Sequence, residues 1–118
     1  MNVVLLTSDL MAASRVQGAA ARIAATLLTA TTAEQAIAFC NDESVGVMLV
    51  DLAMPGLEIG PLVSSLKRGD FASPKVVAFG PHVHEERLVA ARDAGCDEVV
   101  SRGQFFAQIE SILGRNSI

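Results

Sequence analysis

Five short runs of mostly apolar, often β-branched residues recur along the chain, with longer segments between them. They are NVVLL at 2–6, TLLTA at 26–30, VGVMLV at 45–50, KVVAF at 75–79 and EVVS at 98–101. The central runs do not alternate between apolar and polar positions, which is typical of strands covered on both faces. The pattern therefore predicts five strands, most of them buried in the middle of the molecule.

The segments between these runs have helical spacing. Roughly 10–25 is rich in alanine and carries Val16, Ala20 and Ile23 at intervals of four and three residues. Further helices are predicted at about 32–41, at EIGPLVSSLK (58–67), at HEERLVAARDAG (84–95) and in the last segment, where Phe105, Ile109 and Ile112 form one stripe with Phe106 and Leu113 beside it. We interpret that stripe as core packing, with a groove for a partner as the alternative.

Residues that favour helix ends stand where these helices should begin and end. Thr31 or Thr32 can cap the second helix, because a threonine hydroxyl accepts a hydrogen bond from a free N–H of the first turn. Pro61 suits the first position of the third helix, and Gly95 is a C-terminal cap for the fourth. The alternation therefore comprises five strands and five helices.

Strands that alternate with helices predict an α/β fold. Right-handed crossovers give a three-layer, doubly wound sheet of five parallel strands, with five helices on its two faces and the flavodoxin-like order 2-1-3-4-5. The chain has 118 residues and no repeat, linker or low-complexity tract, so we expect one domain over 1–118. In such sheets the functional site lies outside the carboxyl ends of the strands.

The composition argues against several classes of function. A net charge of −4 and the absence of Tyr and Trp argue against a surface that binds nucleic acid directly. No apolar run reaches the roughly 18 residues that cross a bilayer, and the start has no basic segment of a signal peptide. Cys40 and Cys96 belong to no metal-binding motif and fit buried thiols in a reducing compartment. We therefore expect a cytoplasmic protein that does not act at a membrane.

Four predicted strand ends carry the candidate chemistry: Thr7-Ser8-Asp9, Asp51-Leu52-Ala53, Gly80-Pro81-His82 and Ser101-Arg102-Gly103. The first and third strands are neighbours in the expected order, so Asp9 and Asp51 should converge at one rim. Two close carboxylates recruit a cation such as Mg²⁺, and a carboxylate beside such an ion can accept a phosphoryl group. The alternative is that Asp9 caps the first helix and Asp51 caps the turn after its strand.

The stretch LVDLAMPG at 49–56, an apolar run that ends in Asp51 and is followed by Met54-Pro55-Gly56, resembles the phosphoacceptor segment of bacterial response regulator receiver domains. Gly60 further on, Ser8-Asp9 after the first strand and AARDAGCDEVV (90–100) extend the resemblance to essentially the whole chain. It implies that Asp51 accepts phosphate. It also implies Mg²⁺ as cofactor, with Asp9, Asp51 and the carbonyl of Ala53 as ligands.

The chain departs from that family at specific positions. Ser8 replaces the first acidic residue, which weakens the implied Mg²⁺ site. Gly80 stands where the fourth strand normally ends in a Thr or Ser hydroxyl, and Arg102-Gly103 stands where the fifth normally ends in Lys-Pro. Val99 occupies the position of the aromatic switch residue. These substitutions resemble those of atypical receivers, or pseudo-receivers, with an altered phosphate site and an impaired switch.

Two functions follow from this resemblance. The first is an atypical receiver in two-component phosphorelay signalling, phosphorylated at Asp51 by a histidine kinase or a small acyl phosphate. The second is a phosphorylation-independent module that binds another signalling protein, or a second copy of the chain, through its fourth helix, fifth strand and fifth helix. An effector domain after residue 118 is compatible with either. We expect no enzymatic activity beyond, at most, Mg²⁺-dependent self-phosphorylation and dephosphorylation at Asp51.

Two other sites are weaker hypotheses. HVHEE at 82–86 offers two histidines and two carboxylates to a transition metal, but the beginning of a helix is the ordinary interpretation. A flavin site would need a Ser/Thr/Gly-rich phosphate loop after the first strand, where this chain has SDLMAAS.

Overall fold

The computed structural model describes residues 1–68 and 73–116, and its centre is one parallel sheet. The strands are β1 (Asn2–Leu6), β2 (Thr26–Ala30), β3 (Val45–Asp51), β4 (Lys75–Gly80) and β5 (Glu98–Ser101). They lie in the order β2-β1-β3-β4-β5, and every neighbouring pair is parallel. The predicted fold class and strand order are confirmed.

The described residues form six helices where five were predicted. They are α1 (Leu10–Arg22), α2 (Ala33–Asp42), α3 (Ile59–Lys67), α4 (Glu85–Asp93), α5 (Arg102–Ala107) and α6 (Ile109–Arg115). The last predicted helix is divided at Gln108, whose N–H donates to the carbonyl of Phe105 only three residues back. This tighter turn ends α5 and lets the chain change direction before α6 begins.

Two predicted helix ends are displaced by a few residues. The first helix ends at Arg22, and Ala24 has a positive φ of 56°, which α1 cannot continue through. The third begins at Ile59, so Pro61 is its third residue; the proline still costs no helical bond, because the first four N–H groups have no partner within a helix. Thr32 caps α2 and Gly95, with φ 97°, follows α4, as predicted.

Apolar side chains cover both faces of the sheet, which explains the high apolar content of the strands. One core lies against α2, α3 and α4, and contains Val4, Leu6, Met48, Val50, Val76 and Ala78 from the strands. The other lies against α1, α5 and α6, and contains Val3, Leu5, Val47, Leu49, Val77 and Phe79. The stripe of Phe105, Ile109 and Ile112 is buried in this second core, so its interpretation as core packing is confirmed.

The strand register places the carboxyl ends of β1, β3, β4 and β5 side by side. Leu6 of β1 lies opposite Val50 of β3, and Asp51 lies opposite Phe79 of β4. Gly80, the last residue of β4, lies opposite Ser101 of β5. The segments after these strands therefore share one edge. Among residues 1–68 and 73–116, no helix has the length and apolarity to cross a membrane.

Candidate functional site

The carboxylate of Asp51 is buried at the end of the central strand β3, with only 3% of the residue exposed. Its Oδ2 accepts a hydrogen bond of 2.7 Å from the Thr7 hydroxyl, and its Oδ1 accepts one of 2.9 Å from the Ala53 N–H. A buried polar group without partners would be very costly, and these two donors supply a partner to each carboxylate oxygen. Asp51 thus caps the turn that follows its strand, as the alternative interpretation predicted.

Thr7 connects Asp51 to the start of α1. It follows β1 directly, its N–H donates to the carbonyl of Ala30 at the end of β2, and it is 2% exposed. Its Oγ1 accepts a hydrogen bond of 3.1 Å from the Asp9 N–H while donating to Asp51. A hydroxyl has one hydrogen, so that hydrogen is committed to the Asp51 carboxylate.

Thr7 was predicted among the strand-end residues, but its hydrogen bond to Asp51 was not predicted, although a signal was present. Val3, Leu5 and Thr7 alternate along one face of the sheet, and Val47, Leu49 and Asp51 alternate along the same face of the neighbouring strand. A polar residue that continues an apolar face beside a carboxylate of the next strand indicates a hydrogen-bonded pair.

Asp9 is the N-terminal cap of α1. Its Oδ1 accepts hydrogen bonds from the N–H groups of Met11 at 2.9 Å and Ala12 at 3.3 Å. Its Oδ2 accepts one of 2.9 Å from Nη2 of Arg102. The hydrogen bond from Arg102, followed by those from Ala12 and Met11, lowers the pKa of the Asp9 carboxyl. The predicted helix cap is therefore confirmed, and a guanidinium completes it.

Arg102 is held at the first position of α5. That helix begins with a capping box, in which the Ser101 hydroxyl accepts from the Gln104 N–H and the Gln104 side chain accepts from the Ser101 N–H. The Arg102 guanidinium lies 4.9 Å from the ring centroid of Phe106, and that of Arg15 lies 4.4 Å from the same centroid. Arg102 therefore contacts a carboxylate and an aromatic ring at once.

Phe106 is itself fixed by other aromatic rings. It packs edge-on against Phe105 and Phe79, with centroid distances of 5.2 and 5.9 Å, and those two rings stack at 4.0 Å. Because Phe79 lies on β4 and Phe105 on α5, this cluster ties the Arg102 segment to the sheet.

Gly80, which offers no hydroxyl, is also closely approached by a neighbouring side chain. A Cβ atom there would lie 3.1 Å from Cβ of Leu52, which is 4% exposed. Leu52 is anchored by its N–H, which donates to the Phe79 carbonyl, and by its own carbonyl, which accepts from Arg87. Val99 is half-buried opposite Ala78 and packs against the core on the α4 side. Aliphatic side chains thus fill this part of the site.

The residues as arranged do not fit a Mg²⁺ ion. All four carboxylate oxygens of Asp9 and Asp51 accept hydrogen bonds from protein donors. Mg²⁺ needs oxygen ligands in near-octahedral geometry at about 2.0–2.1 Å, with those oxygens turned toward it. Ser8, which stands at the family's first acidic position, has no carboxylate to offer and is exposed. In the described part of the chain, no group of three or more His, Cys, Asp or Glu side chains could hold a metal ion.

Comparisons with known proteins give structural similarity without sequence similarity. No protein-family model matches the sequence, and no curated protein matches it. The structure is similar to the signal receiver domain of a response regulator from Bermanella marisrubri, with a TM-score of 0.84 and 17% identity over 97% of this chain and 95% of that one.

Two further similar structures carry information about ligands and partners of those proteins. One is the receiver domain of a sensor histidine kinase from Pseudomonas aeruginosa, with magnesium coordinated in its active site cleft (TM-score 0.81, 12% identity, 97% and 94% of the two chains). The other is a receiver domain of a Saccharomyces cerevisiae response regulator, in complex with a histidine phosphotransfer signalling protein (TM-score 0.77, 13% identity, 100% and 92%). The chain has the fold of response regulator receiver domains.

Proposed function

We propose that the chain is an atypical response regulator receiver domain in two-component signalling, with Asp51 as its phosphoacceptor and an impaired switch. The observation that carries this proposal is the place of Asp51. It ends the central strand of a receiver fold at the carboxyl edge of the sheet, with the ends of the neighbouring strands β1 and β4 on its two sides. Open parallel sheets bind and react with ligands at this edge.

Oδ2 is the oxygen of Asp51 that can be released for this reaction. Its donor is a side-chain hydroxyl, which can rotate to another acceptor, whereas Oδ1 is bonded by the fixed backbone N–H of Ala53. A bond would form between Oδ2 and phosphorus, while the bond from phosphorus to the donor's acetate oxygen or imidazole nitrogen breaks. The product is an acyl phosphate on Asp51.

Transmission from that product to a partner is the step we propose to be impaired. Gly80 offers no hydroxyl to the phosphoryl group, and a Cβ at this position would lie only 3.1 Å from Cβ of Leu52. Val99 is a half-buried, branched aliphatic side chain packed against the core, with no aromatic ring to exchange between two positions. The partner we propose is a histidine kinase or phosphotransfer protein, or a second copy of the chain binding through α4, β5 and α5.

A second candidate function is a phosphorylation-independent interaction module. The observation that favours it is that both Asp51 oxygens are hydrogen-bonded and the residue is almost fully buried. In that case Asp51 only stabilises the end of β3. Asp51→Asn would then leave partner binding unchanged.

The test is incubation with acetyl phosphate, followed by intact-protein mass spectrometry at neutral pH, with and without added Mg²⁺. Gain of one phosphoryl group by the wild-type protein and none by Asp51→Asn would support phosphorylation at this residue. Absence of any mass gain, under both metal conditions and after treatment with a phosphorylated histidine phosphotransfer protein, would exclude it. The interaction module would then be the remaining candidate.

A further inference from the structure

We propose that the Arg102 guanidinium is the resident cation of this site and excludes a divalent metal ion from Asp9. The inference concerns the same rim as the proposed function, but it does not require that Asp51 be phosphorylated. It accounts for a disagreement between the fold, in which a similar structure coordinates magnesium, and the carboxylates of this chain, which are directed at protein donors.

The first step of the argument is the occupancy of Asp9. One of its oxygens is used by two N–H groups of α1, and the other by Nη2 of Arg102. Only the second oxygen could turn to a metal ion without uncapping the helix. Arg102 therefore uses one lone pair of the Asp9 oxygen that a cation would need, and holds a positive charge 2.9 Å from it.

The second step is that Arg102 is built into this position. Its backbone begins α5 directly after the cap residue Ser101, and its guanidinium stacks on Phe106. Phe106 in turn packs on Phe105 and Phe79. An arginine fixed at its backbone and along one face loses less conformational freedom when it pairs with a carboxylate.

The third step is charge. Asp9 and Asp51 together carry two negative charges, and Arg102 cancels one of them. A divalent ion would gain less attraction from a rim of net charge −1 than from one of −2, and it would also be repelled by the guanidinium. The Asp9–Arg102 pair is partly exposed, at 36% and 38% of the two side chains, so its strength is that of a surface pair and the expected effect is moderate.

The experiment is an Mg²⁺ titration of ¹⁵N-labelled protein, following the amide signals of Asp9, Asp51 and Ala53. The test variant is Arg102→Gln, and the matched control is Arg15→Gln. Arg15 carries the same charge and stacks on the same Phe106 ring, but its guanidinium makes no ion pair within the described residues. The control therefore separates the contact with Asp9 from the general loss of one positive charge.

We expect Arg102→Gln to bind Mg²⁺ about three- to fivefold more tightly than the wild-type protein, and Arg15→Gln to stay within about twofold of it. Adding Asp9→Asn to Arg102→Gln should abolish the gain; asparagine remains a good helix cap, so α1 should persist. Equal affinities of wild type and Arg102→Gln, an equal gain in Arg15→Gln, or no binding to any of these proteins would each overturn the proposal.

The outcome is independent of phosphoryl transfer. A wild-type protein that gains no phosphoryl group would remove the proposed function, but a tighter Mg²⁺ site in Arg102→Gln would still support the role of Arg102. Conversely, phosphorylation of Asp51 together with unchanged Mg²⁺ affinity in Arg102→Gln would leave the proposed function and overturn this inference.

Discussion

At the residue scale, the two donors to Asp51 differ in what they require of the sequence. The Ala53 N–H is a backbone group, so almost any residue at that position supplies it. The Thr7 hydroxyl belongs to one side chain and is buried with the carboxylate it serves. The environment of Asp51 therefore depends on the identity of Thr7, and this dependence can be measured.

Thr7→Val keeps the shape of the side chain but removes the hydroxyl. The Asp51 carboxylate then loses one donor and the Asp9 N–H loses its acceptor, so we expect the free energy of unfolding to fall by about 2 kcal/mol. Urea denaturation followed by circular dichroism at neutral pH measures the change.

The matched control for this prediction is the same substitution in an Asp51→Asn background. There the hydroxyl meets a neutral amide, so Thr7→Val should cost about 1 kcal/mol less than in the wild-type protein. Identical costs in the two backgrounds would mean that the hydroxyl does not stabilise the charge of Asp51.

The sequence predicted which residues lie at this rim but only part of how they pair. Asp9 and Asp51 both have short side chains next to helix or turn N–H groups, so their capping could be derived from local spacing. The bond between Asp9 and Arg102 joins residues 93 positions apart. It depends on the packing of Phe106 against two other rings, and no local pattern encodes that arrangement.

At the scale of elements, side-chain hydrogen bonds fasten the end of α6 to the edge strand β5. Glu98 of β5 accepts hydrogen bonds from Arg115 at the end of α6 and from Asn116 directly after it. The hydrogen bond from Arg115, with a further one from Asn116, lowers the pKa of Glu98 against the opposing effect of its partial burial. The stability of this attachment should therefore depend on pH.

Glu98→Gln tests that dependence. Because the pKa of Glu98 is lower in the folded chain than in the unfolded chain, its contribution to stability is complete above the ordinary glutamate pKa of 4.5. The contribution is lost as the pH falls through the lower pKa of the folded state. Because solvent screens this partly exposed pair, we expect the variant to be less stable than wild type by only about 0.5 kcal/mol at neutral pH, with a gap that narrows below about pH 4.

Urea titrations at neutral pH and at about pH 3 measure this gap. Glu43→Gln is the control, since Glu43 is exposed and makes no ion pair within the described ranges. A gap for Glu98→Gln that stays constant with pH, or a similar pH-dependent gap for Glu43→Gln, would contradict the assignment.

The observed strands and helices lie where the sequence predicted them when a single local signal, such as an apolar run or a capping side chain, marked the position. The apolar run at 98–101 coincides with β5, and Thr32 caps α2 as its side chain predicts. The break between α5 and α6 had no comparable signal. Residue 108 is a glutamine, and not a glycine or proline of the kind that usually ends a helix. The apolar stripe continues through the break, so its periodicity predicted one helix where the chain forms two.

At the scale of the whole molecule, one sheet separates two apolar cores that share no side chain. Successive residues of each central strand point into alternate cores, so the two cores are joined only through the strands between them. The prediction of a single domain over 1–118 requires that both cores be lost together when the chain unfolds.

Substitutions on opposite faces test this cooperativity. Leu62 of α3 lies in one core and Ile112 of α6 in the other. We expect Leu62→Ala to lower the free energy of unfolding by about 2–5 kcal/mol and Ile112→Val by about 0.5–1.5 kcal/mol. In a cooperative domain the double variant should lose the sum of the two, within about 0.5 kcal/mol, and keep one unfolding transition with an unchanged urea dependence.

The matched pair within one core is Ile109→Val with Ile112→Val. These residues are three positions apart along the chain and belong to the same cluster, so shared neighbours should make their effects deviate from additivity by about 0.5 kcal/mol or more. Two separate transitions in the Leu62→Ala variant would show that each core unfolds by itself. A signal at the rim could then reach one face without the other, and the impairment of the switch that we propose would have to be sought between the two cores instead of at Gly80 and Val99.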